Sequence, residues 1–323
     1  MFSTRNQITE YIQQGDITAD RIDAALRVSG VTPDTSSWRL FIERLLLWAG
    51  GLSVALAAVF FIAYNWVDLG RFAKFGLVQL LIVLATAAYW MLGTEKPAAK
   101  LALLMACIFV GVLLALYGQT YQTGADPWQL FFSWALLMLP WTILGRFAPI
   151  WVLWLFLLNL AILLYHYSFR SFFWLMVDSE TELLWAVFAF NTLSLVIWEV
   201  MSKYCSWLST NWAERLLATV SGVAITWLVM ENIFNDNNTN FSSTLVWLAW
   251  LAALYFFYRK IKPDLFMLTG VCTSGISIIV TFSTYQLIDS ADEGGLLFIA
   301  LLLIGLGTGA TLWLRNIHRE IQS

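Results

Sequence analysis

Asn65 and Asp68 stand in one short polar segment, Tyr64 to Lys74, and Gln119, Tyr121, Gln122 and Asp126 in another, Tyr117 to Trp128. Both segments separate long apolar runs. Amide, phenol and carboxylate groups bind ligands by hydrogen bonding and charge, and beside hydrocarbon each must find a partner or water. Two readings follow. The segments form a polar site that takes a solute or a partner protein, or they are capped loops that brace each other, with Arg71 or Lys74 against Asp68 or Asp126. A third segment, with Tyr285, Gln286, Asp289 and Asp292, extends the same group.

Other chemistry has no residues to carry it. His166 and His318 are the only histidines and fall on opposite sides of the membrane drawn below. Cys107, Cys205 and Cys272 have no metal-ligand spacing. The run Gly305-Leu-Gly-Thr-Gly lies inside an apolar stretch and follows no strand, so it is not a phosphate loop. No metal and no cofactor is expected, and the reading is against an enzyme. A net charge of −3 argues against nucleic acid as a partner.

The elements that must position these residues are membrane spans. The chain is 60% hydrophobic and 12% charged, against roughly 25% charged in soluble proteins. Ten apolar runs long enough to cross a bilayer lie near residues 45–64, 75–92, 101–118, 129–145, 150–167, 183–201, 216–233, 243–258, 265–287 and 295–314. With the N-terminus placed inside, fifteen of the eighteen Lys and Arg residues fall on the inner side, and only Arg71, Lys74 and Arg170 fall outside. Basic residues near span ends stay cytoplasmic. The expectation is therefore an all-α, polytopic bacterial inner-membrane protein of about ten spans, with both termini cytoplasmic. Residues 1–42 form a cytosolic helical hairpin, with Thr18 capping its second helix, and residues 43–323 form the membrane domain. Tryptophans near span ends, such as Trp48, Trp66 and Trp128, anchor it at the interfaces.

Ionisable residues are nearly absent from the span centres, and Glu199 and Glu231 lie at opposite helix ends. This is unlike a proton-driven carrier. Span nine, with Thr269, Thr273, Ser274, Ser277 and Thr281, is expected to face the bundle interior. A faint repeat relates spans one to four to spans seven to ten. Glu43-Arg44-Leu45-Leu46 with Gly51 echoes Glu214-Arg215-Leu216-Leu217 with Gly222. Lys96-Pro97 echoes Lys262-Pro263, and Thr120-Tyr121-Gln122 echoes Thr284-Tyr285-Gln286. Both copies start inside, so the repeat is parallel.

The stretch from Ile12-Gln-Gln-Gly-Asp-Ile-Thr-Ala19, through Tyr64-Asn-Trp66 and Gly118-Gln-Thr-Tyr-Gln-Thr-Gly-Ala-Asp126, to Trp134-Ala-Leu-Leu-Met-Leu-Pro-Trp141 resembles the bacterial membrane-protein family of domain of unknown function 2157, over residues 8–147. The resemblance brings no catalytic residues. It implies neighbours, because relatives are often encoded beside a second multi-span protein and a small exported protein. Two functions remain. One is a component of an envelope complex that binds an exported or membrane protein partner through its outer segments. The other is a transporter or solute-binding protein with an outward-facing polar cavity. The lipid bilayer is a partner in both.

Overall fold

A computed structural model describes residues 8, 11–12, 14–30, 34–64, 67–169, 179–234, 241–287 and 293–322. Among them there is no strand. A short helix, α1 (Ile22–Val28), precedes α2 (Thr35–Tyr64), α3 (Arg71–Leu92), α4 (Pro97–Tyr121), α5 (Pro127–Gly145), α6 (Ala148–Phe169), α7 (Ser179–Ser202), α8 (Asn211–Phe234), α9 (Phe241–Phe256), α10 (Leu265–Leu287) and α11 (Glu293–Gln322). Ten of these, α2 to α11, with α9 taken together with the π-helical turn that continues it to Ile261, are long and apolar enough to cross a membrane, and each covers one expected span. The chain is an all-α, multi-pass membrane protein.

Local sequence sets the helix ends. Asp34 starts α2: its carboxylate accepts the Ser37 amide at 2.8 Å and the Ser36 hydroxyl at 2.8 Å. The helix therefore begins ten residues before the apolar run. Gly93, at φ 90°, stops α3, and Pro97 opens α4. Pro127 opens α5 after an extended Asp126, and Arg146, left-handed at φ 41°, ends it. Thr18 holds the position before a 3₁₀ turn, but its hydroxyl makes no capping bond.

The Asp34 cap gives a prediction. Hydrogen bonds from Ser37 and Ser36 hold its carboxyl down at about 2, below an ordinary aspartate. A depressed folded value means that the cap is complete above the ordinary aspartate range and is lost as pH falls toward 2. Protection of the Ser37 and Trp38 amides, relative to their intrinsic exchange at the same pH, should be high at pH 5 and fall below pH 3, and Asp34→Ala should show low protection at both.

The chain divides into two compact units, residues 1–116 with 318–323, and residues 117–317. In the first, Ala55, Val78, Phe109 and Leu116 form a buried cluster across α2, α3 and α4. Gly51 lets α2 approach α4, because a Cβ there would stand 2.4 Å from a Leu101 methyl.

In the second unit, side-chain bonds join successive helices. The Trp154 indole donates to the Ala135 carbonyl at 3.0 Å, tying α6 to α5. Asn159 and Asn191 exchange amide bonds of 3.2 and 2.6 Å between α6 and α7. These groups meet in a region without water, so their mutual satisfaction fixes the pairing of the two spans. Ser274 of α10 takes the Trp247 indole of α9 at 2.8 Å and lies 2.6 Å from the Thr226 hydroxyl of α8.

Span nine differs from expectation. In α10 only Met267, Leu268 and Ser274 are buried, while Thr269 and Thr273 are exposed. Their hydroxyls donate to the carbonyls of Leu265 and Thr269, four residues back in each case. The helix satisfies these groups itself, so they do not require the bundle interior.

Candidate functional site

The segment Tyr117–Trp128 closes α4 and opens α5. Gln122, at φ 44°, and Gly124, at φ 63°, reverse the chain. A glycine adopts this left-handed backbone at no steric cost, whereas Gln122 adopts a conformation uncommon for a residue with a side chain. Tyr117 and Tyr121 place their rings 4.9 Å apart, each about half exposed. Gln119, Gln122 and Asp126 are exposed as well. Asp126 precedes the first turn of α5 but makes no side-chain capping bond. Its charge therefore remains available at the helix N-terminus. Behind the segment, Trp128 packs edge-on to Tyr165 at 5.1 Å.

The other expected site residues belong to other elements. Asp68 is exposed in the turn before α3. Tyr285 is half-buried and edge-on to Phe234 at 5.9 Å, and Gln286 is exposed. Asn65, Asp289 and Asp292 lie outside the described residues. The structure thus brings Gln119, Tyr121, Gln122 and Asp126 together as one exposed turn.

A second site, made of charged residues that meet at span ends, was missed by sequence reasoning. At the other end of the second unit, Glu199 from α7 and Glu214 from α8 converge on Lys262, which follows a π-helical turn at Phe257–Ile261. Glu214 is 1% exposed and Glu199 8%. Lys262 Nζ lies 3.1 Å from Glu199 and also binds Glu214. The Tyr258 hydroxyl donates to Glu199 at 2.5 Å. Beside them Arg215 grips the buried Asp264 through Nε and Nη2 at 3.0 and 3.2 Å.

The π turn contributes directly. Its extra residue per turn alters which side chains face inward, and here Tyr258 is buried while Lys260 is exposed. Burial works against the charged Lys262 ammonium, but the bonds from Glu214 and Glu199 outweigh it and hold its pKa above that of an ordinary lysine. The signal was present in the sequence. Glu214-Arg215 and Lys262-Pro263 are the same residues that carry the repeat, but nothing in their spacing says that they meet. Among the described residues no group of His, Cys, Asp and Glu could hold a metal ion.

The turn and most of the first unit lie in a stretch that matches a family model. Residues 9–151 match the family described as predicted membrane protein, domain of unknown function 2157. No curated protein and no solved structure matches the chain. The domain 2157 stretch ends three residues into α6, so the Glu199–Glu214–Lys262 network lies wholly beyond it. The exposed turn at Gln119–Asp126 lies wholly within it.

Proposed function

We propose that this chain is a component of a bacterial inner-membrane complex that binds an exported partner through its outer segments. In this reading both termini are cytoplasmic, residues 1–42 form a cytosolic hairpin and residues 43–323 the membrane domain. The observation that carries the reading is the end of α4 and the turn after it, where the Gln119, Tyr121, Gln122 and Asp126 side chains are all exposed. A recess for a small solute would draw such groups inward, whereas a docking edge presents aromatic and polar side chains outward. The parallel repeat belongs to the same proposal. Gly51 and Gly222 hold the same place in its two sequence echoes, but Gly51 meets Leu101 of α4, the third span, and Gly222 meets Trp250 of α9, the eighth, so these contacts are not equivalent and the repeat rests on the sequence echoes.

The test is a photo-crosslinking amino acid at Gln122, with capture from the outer side of intact cells. The wild type should yield one exported protein at a stoichiometric level. Tyr121→Ala and Asp126→Asn should each lower capture by about tenfold, the scale of one good interface anchor, with unchanged melting temperature. Crosslinks to lipid alone would defeat the proposal. A lower melting temperature in Asp126→Asn with capture intact would make the segment a loop brace.

One observation favours the second reading, a solute-binding or transport protein. A cavity of about 560 Å³ lies between α8 and α10, where Glu231, Thr281 and Thr284 face Trp227 and Phe234. This is the same end of the helices as Tyr285.

A further inference from the structure

A furrow runs along the second unit between α8 and α10. It begins at an opening of about 370 Å³ lined by Trp212, Arg215, Leu216, Thr219, Val220 and Phe266. Thr219 and Phe266 also line the next cavity, of about 450 Å³, which continues to Trp227 and Met230. From Arg215 to Met230 the helix rises about 22 Å, most of the roughly 30 Å of a bilayer's hydrocarbon core.

Three features define what fits. First, the walls are apolar although they are rich in Thr. The hydroxyls of Thr219, Thr226, Thr269 and Thr273 donate to the carbonyls of Arg215, Gly222, Leu265 and Thr269. With each hydroxyl engaged by its own helix, a polar solute gains little along the furrow. Second, the floor is open at Gly270, where a Cβ would meet nothing within 4 Å. Third, the mouth holds a pre-oriented arginine. Asp264 takes Nε and Nη2 of Arg215, and the Phe266 ring lies 5.3 Å under its guanidinium carbon. The side chain is 40% exposed, and its Nη1 has no partner among the described residues. Trp212, 43% exposed, stands beside it where an indole suits the headgroup level.

We infer that this furrow is a specific glycerophospholipid site, with the lipid phosphate on the Nη1 edge of Arg215 and one acyl tail laid between α8 and α10 toward Trp227. Guanidinium donors match phosphate oxygens in geometry and charge. The apolar trough accepts a tail and not a polar solute. A transmembrane helix of a partner would need no cation at the mouth, so the arginine selects the lipid.

The test uses the full chain in mild detergent, supplied with a phosphatidylglycerol that carries a diazirine in its tail. Native mass spectrometry should find one phospholipid retained per chain, and crosslinks should map to Val223, Trp227 and Thr273. Gly270→Leu should lower retention by about tenfold at an unchanged melting temperature, since it fills open space in the trough. Thr273→Phe fills the same trough from another position and decides the matter if Gly270→Leu lowers stability. Arg215→Gln should lower retention by about tenfold, roughly the worth of a charge-assisted contact, and Arg215→Lys should restore only part of it. Retention unaffected by both trough-filling variants would overturn the inference. So would crosslinks spread evenly over all lipid-facing helices, or a polypeptide crosslinked in the furrow in place of lipid.

Discussion

Replacing Lys262 by Met should destabilise the protein by about 3 kcal/mol, the low end of the range for removing one partner of a buried ion pair. The low end applies because the lysine side chain is 35% exposed. The substitution leaves Glu199 and Glu214 facing each other with Tyr258 as their remaining donor, and Glu214 has almost no access to water. The measurement is the unfolding temperature in detergent by intrinsic fluorescence. A second substitution, Glu214→Gln in the same chain, should recover much of the loss by removing the stranded charge. An unfolding temperature equal to the wild type for Lys262→Met would mean that the carboxylates are hydrated and that the network has no structural role. A pH titration gives an independent check. The Lys262 pKa is raised on folding. Its contribution should therefore be complete below the ordinary lysine value, about 10.4, and disappear as pH climbs through the higher folded value.

The second large effect is expected at Gly222. A Cβ there would stand 2.8 Å from Cη2 of Trp250, and that ring packs edge-on to Phe188 at 6.3 Å. An indole cannot bend away as a methyl group can. Gly222→Val should cost about 1–3 kcal/mol, typical of forced overpacking. Gly270→Val, in the same trough but facing open space, should have little effect on unfolding. Equal effects at the two glycines would show that helix propensity, and not the Trp250 contact, governs both.

The fold was legible because hydropathy and length report the bilayer directly. Each expected span lies within one continuous helical stretch, the eighth ending in the π turn after α9, since a helix is how a lone apolar segment satisfies its backbone in hydrocarbon. The early start of α2 was missed because hydropathy marks where a span enters the membrane, whereas Asp34 marks where the helix begins. The polar character of the Gln119–Asp126 segment was also legible. Its outward orientation was not, because residue type does not say whether a side chain turns toward solvent or a recess; that depends on the left-handed backbone at Gln122 and Gly124. The ion network was hidden for a different reason. Glu199, Glu214 and Lys262 sit near span ends, where single charges are ordinary, and their meeting depends on tertiary packing and a π turn that composition does not announce.

The order of these three residues along the chain has a consequence for biosynthesis. Lys262 follows Glu214 by 48 residues and Glu199 by 63. The α7–α8 hairpin is therefore made with both carboxylates and without their counter-ion. At about 5–20 residues per second, the ribosome takes some seconds more to supply it. During that interval the hairpin cannot settle in its final burial, because two acids without a base are too costly to dehydrate. The hairpin must wait at the membrane edge, with Glu199 and Glu214 still wet, until the π turn and Lys262 arrive. Assembly of the second unit is thus timed by a residue that comes after α9, and the helices synthesised first are not the first to be locked in place.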